Sequence, residues 1–148
     1  RENIIVIKGN HEKLANLADK YFVDYYLEED IAFIHGDEEI KQVFDKDNKG
    51  KQIKTIVMGH LHPAITITDK QGIKSEKYKC FLVGNYKGKQ IIILPSFLPI
   101  VEGTSVNEYL SNSSCLIPKN TLINFNVYAI GEHKTYNFGK LKKLIRES

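Results

Sequence analysis

Apolar residues follow two rhythms along this chain, and the change falls near Pro63. Before it, short unbroken apolar runs alternate with polar, helix-patterned stretches. Asn3-Ile4-Ile5-Val6-Ile7 is a β-branched run of the kind that forms a strand buried on both faces. Lys8-Gly9-Asn10-His11-Glu12 follows it, and Glu12 to Lys20 carries Leu14, Leu17 and Ala18 at helical spacing. Tyr21 to Glu29 predicts a short strand. Ile31 to Ile34 predicts a second, running into His35-Gly36-Asp37, and Glu38 to Phe44 reads as a short helix. Asp45 to Gln52 is a charged loop, and Ile53 to Met58 is the strand that leads into Gly59-His60-Leu61-His62-Pro63.

After Pro63 the pattern becomes antiparallel β. Ala64 to Thr68 alternates apolar and polar residues, as a half-buried strand does. Asp69 to Gly72 is a turn, and Lys77 to Asn85 with Gln90 to Leu94 reads as a hairpin. Glu102 to Ser114 is loop-like. Leu122 to Ile130 predicts a long strand, Gly131-Glu132-His133 a turn, and Thr135 to Ile145 a strand or tail. Strand–helix alternation followed by strands alone argues for an α/β sheet packed on a second sheet.

Three of these strands end alike, in Gly9-Asn10-His11-Glu12, His35-Gly36-Asp37 and Gly59-His60-Leu61-His62. Open α/β sheets bind ligands just beyond strand carboxyl ends. Residues two apart on a strand share a face, so His60 and His62 are expected to present imidazoles to one volume. Gly59 permits a turn and a close approach, and Pro63 is expected to end the ladder. A pair of surface loop histidines explains an isolated H-x-H as well. Four of the five histidines lie in the three motifs; His133 sits alone in a late turn. Nitrogen and oxygen donors without thiolate suit manganese, iron or zinc, and open positions favour a catalytic over a structural ion.

Composition narrows the class. The chain has 148 residues, 42% hydrophobic and 26% charged, with net charge +3. That is ordinary for one soluble domain and supports no nucleic-acid assignment by itself. Cys80 and Cys115 are far apart and lack C-x-x-C spacing, which reads as reduced, structural and cytoplasmic. No segment is apolar and long enough to span a membrane. The chain starts at Arg1 and its one methionine is Met58, so it is expected to be a piece of a longer protein.

The ordered set G-N-H-E, H-G and G-H-x-H resembles the later motifs of the calcineurin-like metallophosphoesterase superfamily. Cys80 to Gly84 and Ile91 to Phe97, with Leu94-Pro95-Ser96-Phe97, are similar to its Icc-like, DNA ligase-associated branch. The resemblance covers essentially the whole chain. It implies a four-layer α/β/β/α sandwich with two mixed sheets, of which residues 1–148 would be the C-terminal portion of a single domain lacking its N-terminal strands. It implies a two-ion hydrolase, manganese first and iron, zinc or nickel as alternatives, in which a metal-bound hydroxide attacks phosphorus. By the same resemblance Asn10, His35 and His60 would bind one ion and His62 the other. His11 would stabilise the transition state or protonate the leaving oxygen. Glu12 would orient His11, although a carboxylate at a helix N-terminus explains it equally. Asp37 would orient His35, with helix capping the favoured alternative.

The family's Asp-x-His and Gly-Asp motifs do not precede Arg1. The fragment alone is therefore expected to be inactive, and an apolar sheet edge is expected to be exposed and to invite a homodimer. The implied substrate is a phosphate ester, a nucleotide or nucleic acid among the candidates, with no membrane partner. Two other classes fit less of the pattern: a non-catalytic protein-binding scaffold on the same fold, and a nuclease or nucleic-acid-binding module. The second would draw on Lys49, Lys51 and Lys54 or on Lys140, Lys142 and Lys143, clusters that ordinary solvated surface also explains.

Overall fold

The computed structural model describes residues 4–10, 21–45, 52–110 and 115–145. Parallel strands form its centre. β4 (Ile31–Ile34), β5 (Thr55–Met58) and β8 (Lys89–Ile93) lie side by side and point the same way, with Ile34 level with Met58 and Met58 level with Ile93. Their carboxyl ends therefore share one rim. On one flank β3 (Tyr25–Glu28) runs antiparallel to β4. On the other, β7 (Ser75–Tyr86), β10 (Asn126–Ile130) and β11 (Thr135–Lys140) continue the sheet antiparallel, giving the order β11-β10-β7-β8-β5-β4-β3.

β7 is long enough to serve two sheets. Its second half pairs with β8 and β10, while Ser75 to Lys79 pairs with β6 (Pro63–Thr68). β6 in turn pairs with the two-residue β9 (Thr104–Ser105). Between β7 and β8 the chain reverses at Lys87-Gly88, both with positive φ (50° and 75°), the backbone that a tight two-residue hairpin requires.

A separate two-stranded sheet pairs β1 (Ile5–Ile7) with β2 (Tyr21–Val23) in parallel. The single strand expected over Tyr21 to Glu29 is thus two, broken at Asp24. The corner has a use: β1 and β2 run toward the rim, and β3 leaves it, so Ile7 ends beside Val23 and Tyr25 beside Ile34.

The core follows the apolar runs. Ile56, Met58, Leu82, Ile91 and Ile93 are fully buried between the sheet and the segments that cover it. Each such side chain contributes about 1.5–3 kcal/mol by leaving water.

Helix is scarce among the described residues: α1 (Lys41–Phe44) and α2 (Lys119–Leu122) are single turns. α1 is shorter than the helix expected over Glu38 to Phe44, because Ile40 is still extended. The strand expected over Leu122 to Ile130 begins at Asn126, and its first residues end α2 and turn. Pro63 opens β6 rather than closing a strand. The segment Thr135 to Ile145 is β11 followed by a short 3-10 turn, Leu141–Lys143. The helix expected over Glu12 to Lys20, and most of the charged loop over Asp45 to Gln52, lie outside the described residues. The coarse assignment holds: a mixed α/β fold in which strand predominates. No helix among the described residues is long and apolar enough to cross a membrane.

Candidate metal centre

The rim collects the ends of four elements. β1 delivers Asn10, β4 delivers His35, β5 delivers the loop 59–62, and β8 delivers the loop that follows Ile93. The His35 Nε2 atom lies 3.2 Å from Asn10 Oδ1 and 3.1 Å from His60 Nδ1. The rings of His35 and His60 meet edge to face, with centroids 5.0 Å apart.

Glycines make this approach possible. A Cβ on Gly9 would stand 2.7 Å from His35 Cε1, so the imidazole occupies the space a side chain would need. The sequence suggests a tight turn there; packing of the ring against bare backbone is what the position requires. Gly36 follows His35 with φ +101°, and a Cβ there would meet Met58.

His60 and His62 are not on a strand. The last strand residue is Met58, and Gly59 donates its N–H to the His35 carbonyl at 3.0 Å, tying the two histidine tips together. Leu61 N–H returns to the Gly59 carbonyl at 2.7 Å, closing a three-residue turn around His60. His60 has φ +59° and His62 φ +48°. Left-handed backbone costs a residue with a side chain about 1–2 kcal/mol. The shared face expected from strand alternation is therefore the wrong reason for the convergence. The turn throws His60 toward His35, and Leu61 goes inward into the core.

His62 lies near enough to His60 to feel its charge. Burial pushes its pKa below the ordinary histidine value, and the neighbouring His60 and Lys79 push the same way. All three effects favour the neutral ring, the form that carries a free lone pair. Lys79 belongs to none of the three motifs. It faces Ala64 across the β6–β7 pair, two residues beyond His62, and its only signal in the sequence is its place in an alternating strand.

Asp37 is exposed, and among the described residues no hydrogen bond joins it to His35. Nor does it cap α1, which starts at Lys41 after an Ile40 that makes no side-chain cap. His11 and Glu12 lie outside the described residues. His133 is exposed in the turn after β10, beside Glu132, and no contact with the histidine cluster is seen among the described residues.

The donor set suits a cation. One ring nitrogen carries one proton or one lone pair, so His35 Nε2 cannot make two good hydrogen bonds at once, to an amide oxygen and to a second ring nitrogen. Donor atoms about 2.1 Å from a shared ion stand about 3.0 Å apart at right angles and about 3.4 Å apart at tetrahedral angles. The separations of 3.1 and 3.2 Å fall between these. No cluster of three or more His, Cys, Asp or Glu fit for a metal exists among the described residues, so the trio depends on the Asn10 amide as its third donor. Cys80 and Cys115 are both free, and neither belongs to the cluster.

Comparison with family models, curated proteins and solved structures finds no match to this chain.

Proposed function

We propose that this chain belongs to a metal-dependent phosphoesterase, favouring phosphodiesters, built as a four-layer α/β/β/α sandwich and working in the cytoplasm. The observation that carries this reading is the meeting of Asn10, His35 and His60 on one rim, from three separate strand ends. Asn10, His35 and His60 hold one divalent ion, manganese first and iron, zinc or nickel as alternatives, and His62 reaches a second. When bound, such ions supply charge neutralisation at the phosphoryl group and an activated water. The neutral state of His62 keeps its nitrogen ready to donate. By the family resemblance alone, His11 would give the proton to the leaving oxygen and Glu12 would orient His11; Asp37, exposed and without a hydrogen bond to His35 among the described residues, is given no part. The substrate is a phosphate ester, with nucleotides and nucleic acids in that class.

Neutral donors without a bridging carboxylate hold a divalent ion weakly, so this chain alone is expected to bind one manganese ion and to hydrolyse nothing. The test is calorimetric titration of the chain with Mn2+, repeated on His60→Ala. We expect one weak site that disappears in the variant; unchanged binding in the variant would remove His60 from the centre. A form of the protein carrying the Asp-x-His and Gly-Asp motifs should then hydrolyse bis(4-nitrophenyl) phosphate only with Mn2+ present. A protein-binding scaffold is the second reading, favoured by the absence, among the described residues, of any group of three or more His, Cys, Asp or Glu that could hold a metal ion. It predicts that this longer form stays inert.

A further inference from the structure

The loop after β8 is fastened to the histidine loop at both ends. Leu94 N–H donates to the Met58 carbonyl at 2.8 Å, where the histidine loop begins, and Thr104 N–H donates to the His62 carbonyl at 2.8 Å, where it ends. Gly103, with φ +88°, lies so close that a Cβ would stand 2.4 Å from the His62 carbonyl oxygen. Beneath the loop, Lys79 Nζ donates to the carbonyls of Ser96 (2.9 Å) and Leu98 (2.6 Å). The loop is thus a formed lip beside the histidines. Its crest is apolar and turned to solvent: Phe97 is 98% exposed, Ile100 89% and Leu98 57%. Three large apolar side chains exposed together on one short loop are not explained by the core, and such patches mark binding sites.

Resting on the phosphoesterase reading, we propose that this lip is a specificity element that takes an aromatic ring on the ester's organic group, with Phe97 as the stacking platform. An amphipathic phosphoester matches the surface in both halves. Its anion lies toward the neutral donors and the Lys79 ammonium, and its ring lies over Phe97 with Ile100 and Leu98 at the edges. The lip's backbone is fixed at its ends and from below, so little ordering is needed when a ring binds. A purely aliphatic chain would use the same apolar area but gain nothing from the ring face.

The chain saturated with Mn2+ is titrated with inorganic phosphate, phenyl phosphate and hexyl phosphate. Phenyl phosphate should bind about tenfold tighter than phosphate, a typical gain for one stacked ring. Phe97→Ala should erase that gain and leave phosphate binding unchanged; the side chain is exposed, so the fold is not at risk. Hexyl phosphate binding as tightly as phenyl phosphate would overturn the aromatic assignment. So would loss of a dimer in Phe97→Ala by sedimentation with no change in ligand binding, which would make the lip an interface between copies. If Mn2+ and phosphate bind but phenyl phosphate is no tighter, the lip proposal alone fails. If Mn2+ does not bind at all, the phosphoesterase reading fails and takes the lip proposal with it.

Discussion

His62 shows how a single residue couples folding to chemistry. Its pKa is lowered, by burial first and then by His60 and Lys79, so the folded chain prefers the neutral ring. The unfolded chain binds the proton more readily, which makes stability rise with pH through this group. Its contribution is complete above the ordinary histidine value of about 6.5 and is lost as pH falls from there through the folded value. Thermal melts of the metal-free chain between pH 8 and pH 5 should show a decline that starts below pH 6.5. His62→Gln should show a shallower decline; parallel curves would mean that His62 does not couple to folding. That Asn10, His35 and His60 would come together was readable, because asparagine or histidine stands beside glycine at three strand ends, and strand ends of this kind share one rim. The reason they meet was not readable. Period-two alternation describes strands, and although Gly59 permits a turn, nothing in the sequence announces that His60 and His62 both take left-handed backbone. Lys79 was invisible for a related cause: its significance comes from the register of β7 against β6, which no local pattern encodes.

At the scale of elements, apolar runs located the strands well. Ile31–Ile34 appears with the expected bounds, and β5, β6 and β8 shift by a residue or two. The failure at Leu122 to Ile130 is instructive. Leu122, Ile123 and Phe125 are apolar enough to extend the strand, but tertiary packing uses them otherwise. Phe125 leaves the turn after α2 and lays its ring on Gly84 of β7, where a Cβ would stand 2.1 Å from the ring. Gly84 is therefore the absence of a side chain that Phe125 fills, and the sequence alone offers only a glycine in a strand, which reads as a bulge or a close approach. Gly84→Ala should push the ring from its place in a close-packed core, at a cost of about 1–3 kcal/mol. Urea denaturation gives the measurement. A loss no greater than about 0.5 kcal/mol would show that Phe125 has room to move.

At the scale of the whole molecule, the candidate centre lies where two sheets meet. β1 and β2 form their own small sheet, and Asn10 reaches from its end to His35 at the end of β4 in the main sheet. On the proposed reading, an ion held by Asn10, His35 and His60 is also a clamp between the sheets. Anything that binds only the folded state stabilises it by mass action, about 2.7 kcal/mol at a hundred times the dissociation constant. Local openings differ across a structure, and the least tethered parts open first. Ile5 is exposed on β1, whose second edge has no partner strand among the described residues, so this small sheet depends on its rim contacts more than the central strands do. Saturating Mn2+ should therefore slow amide exchange in β1 and β2 by a larger factor than in β5 or β8. Chelation of the ion should reverse the effect. Asn10→Ala should keep a weakened ion on the two histidines yet lose the added protection of β1, because the ligand that ties the small sheet to the ion is gone. Protection that rises equally in every strand, or that survives Asn10→Ala, would mean that the ion does not bridge the two sheets.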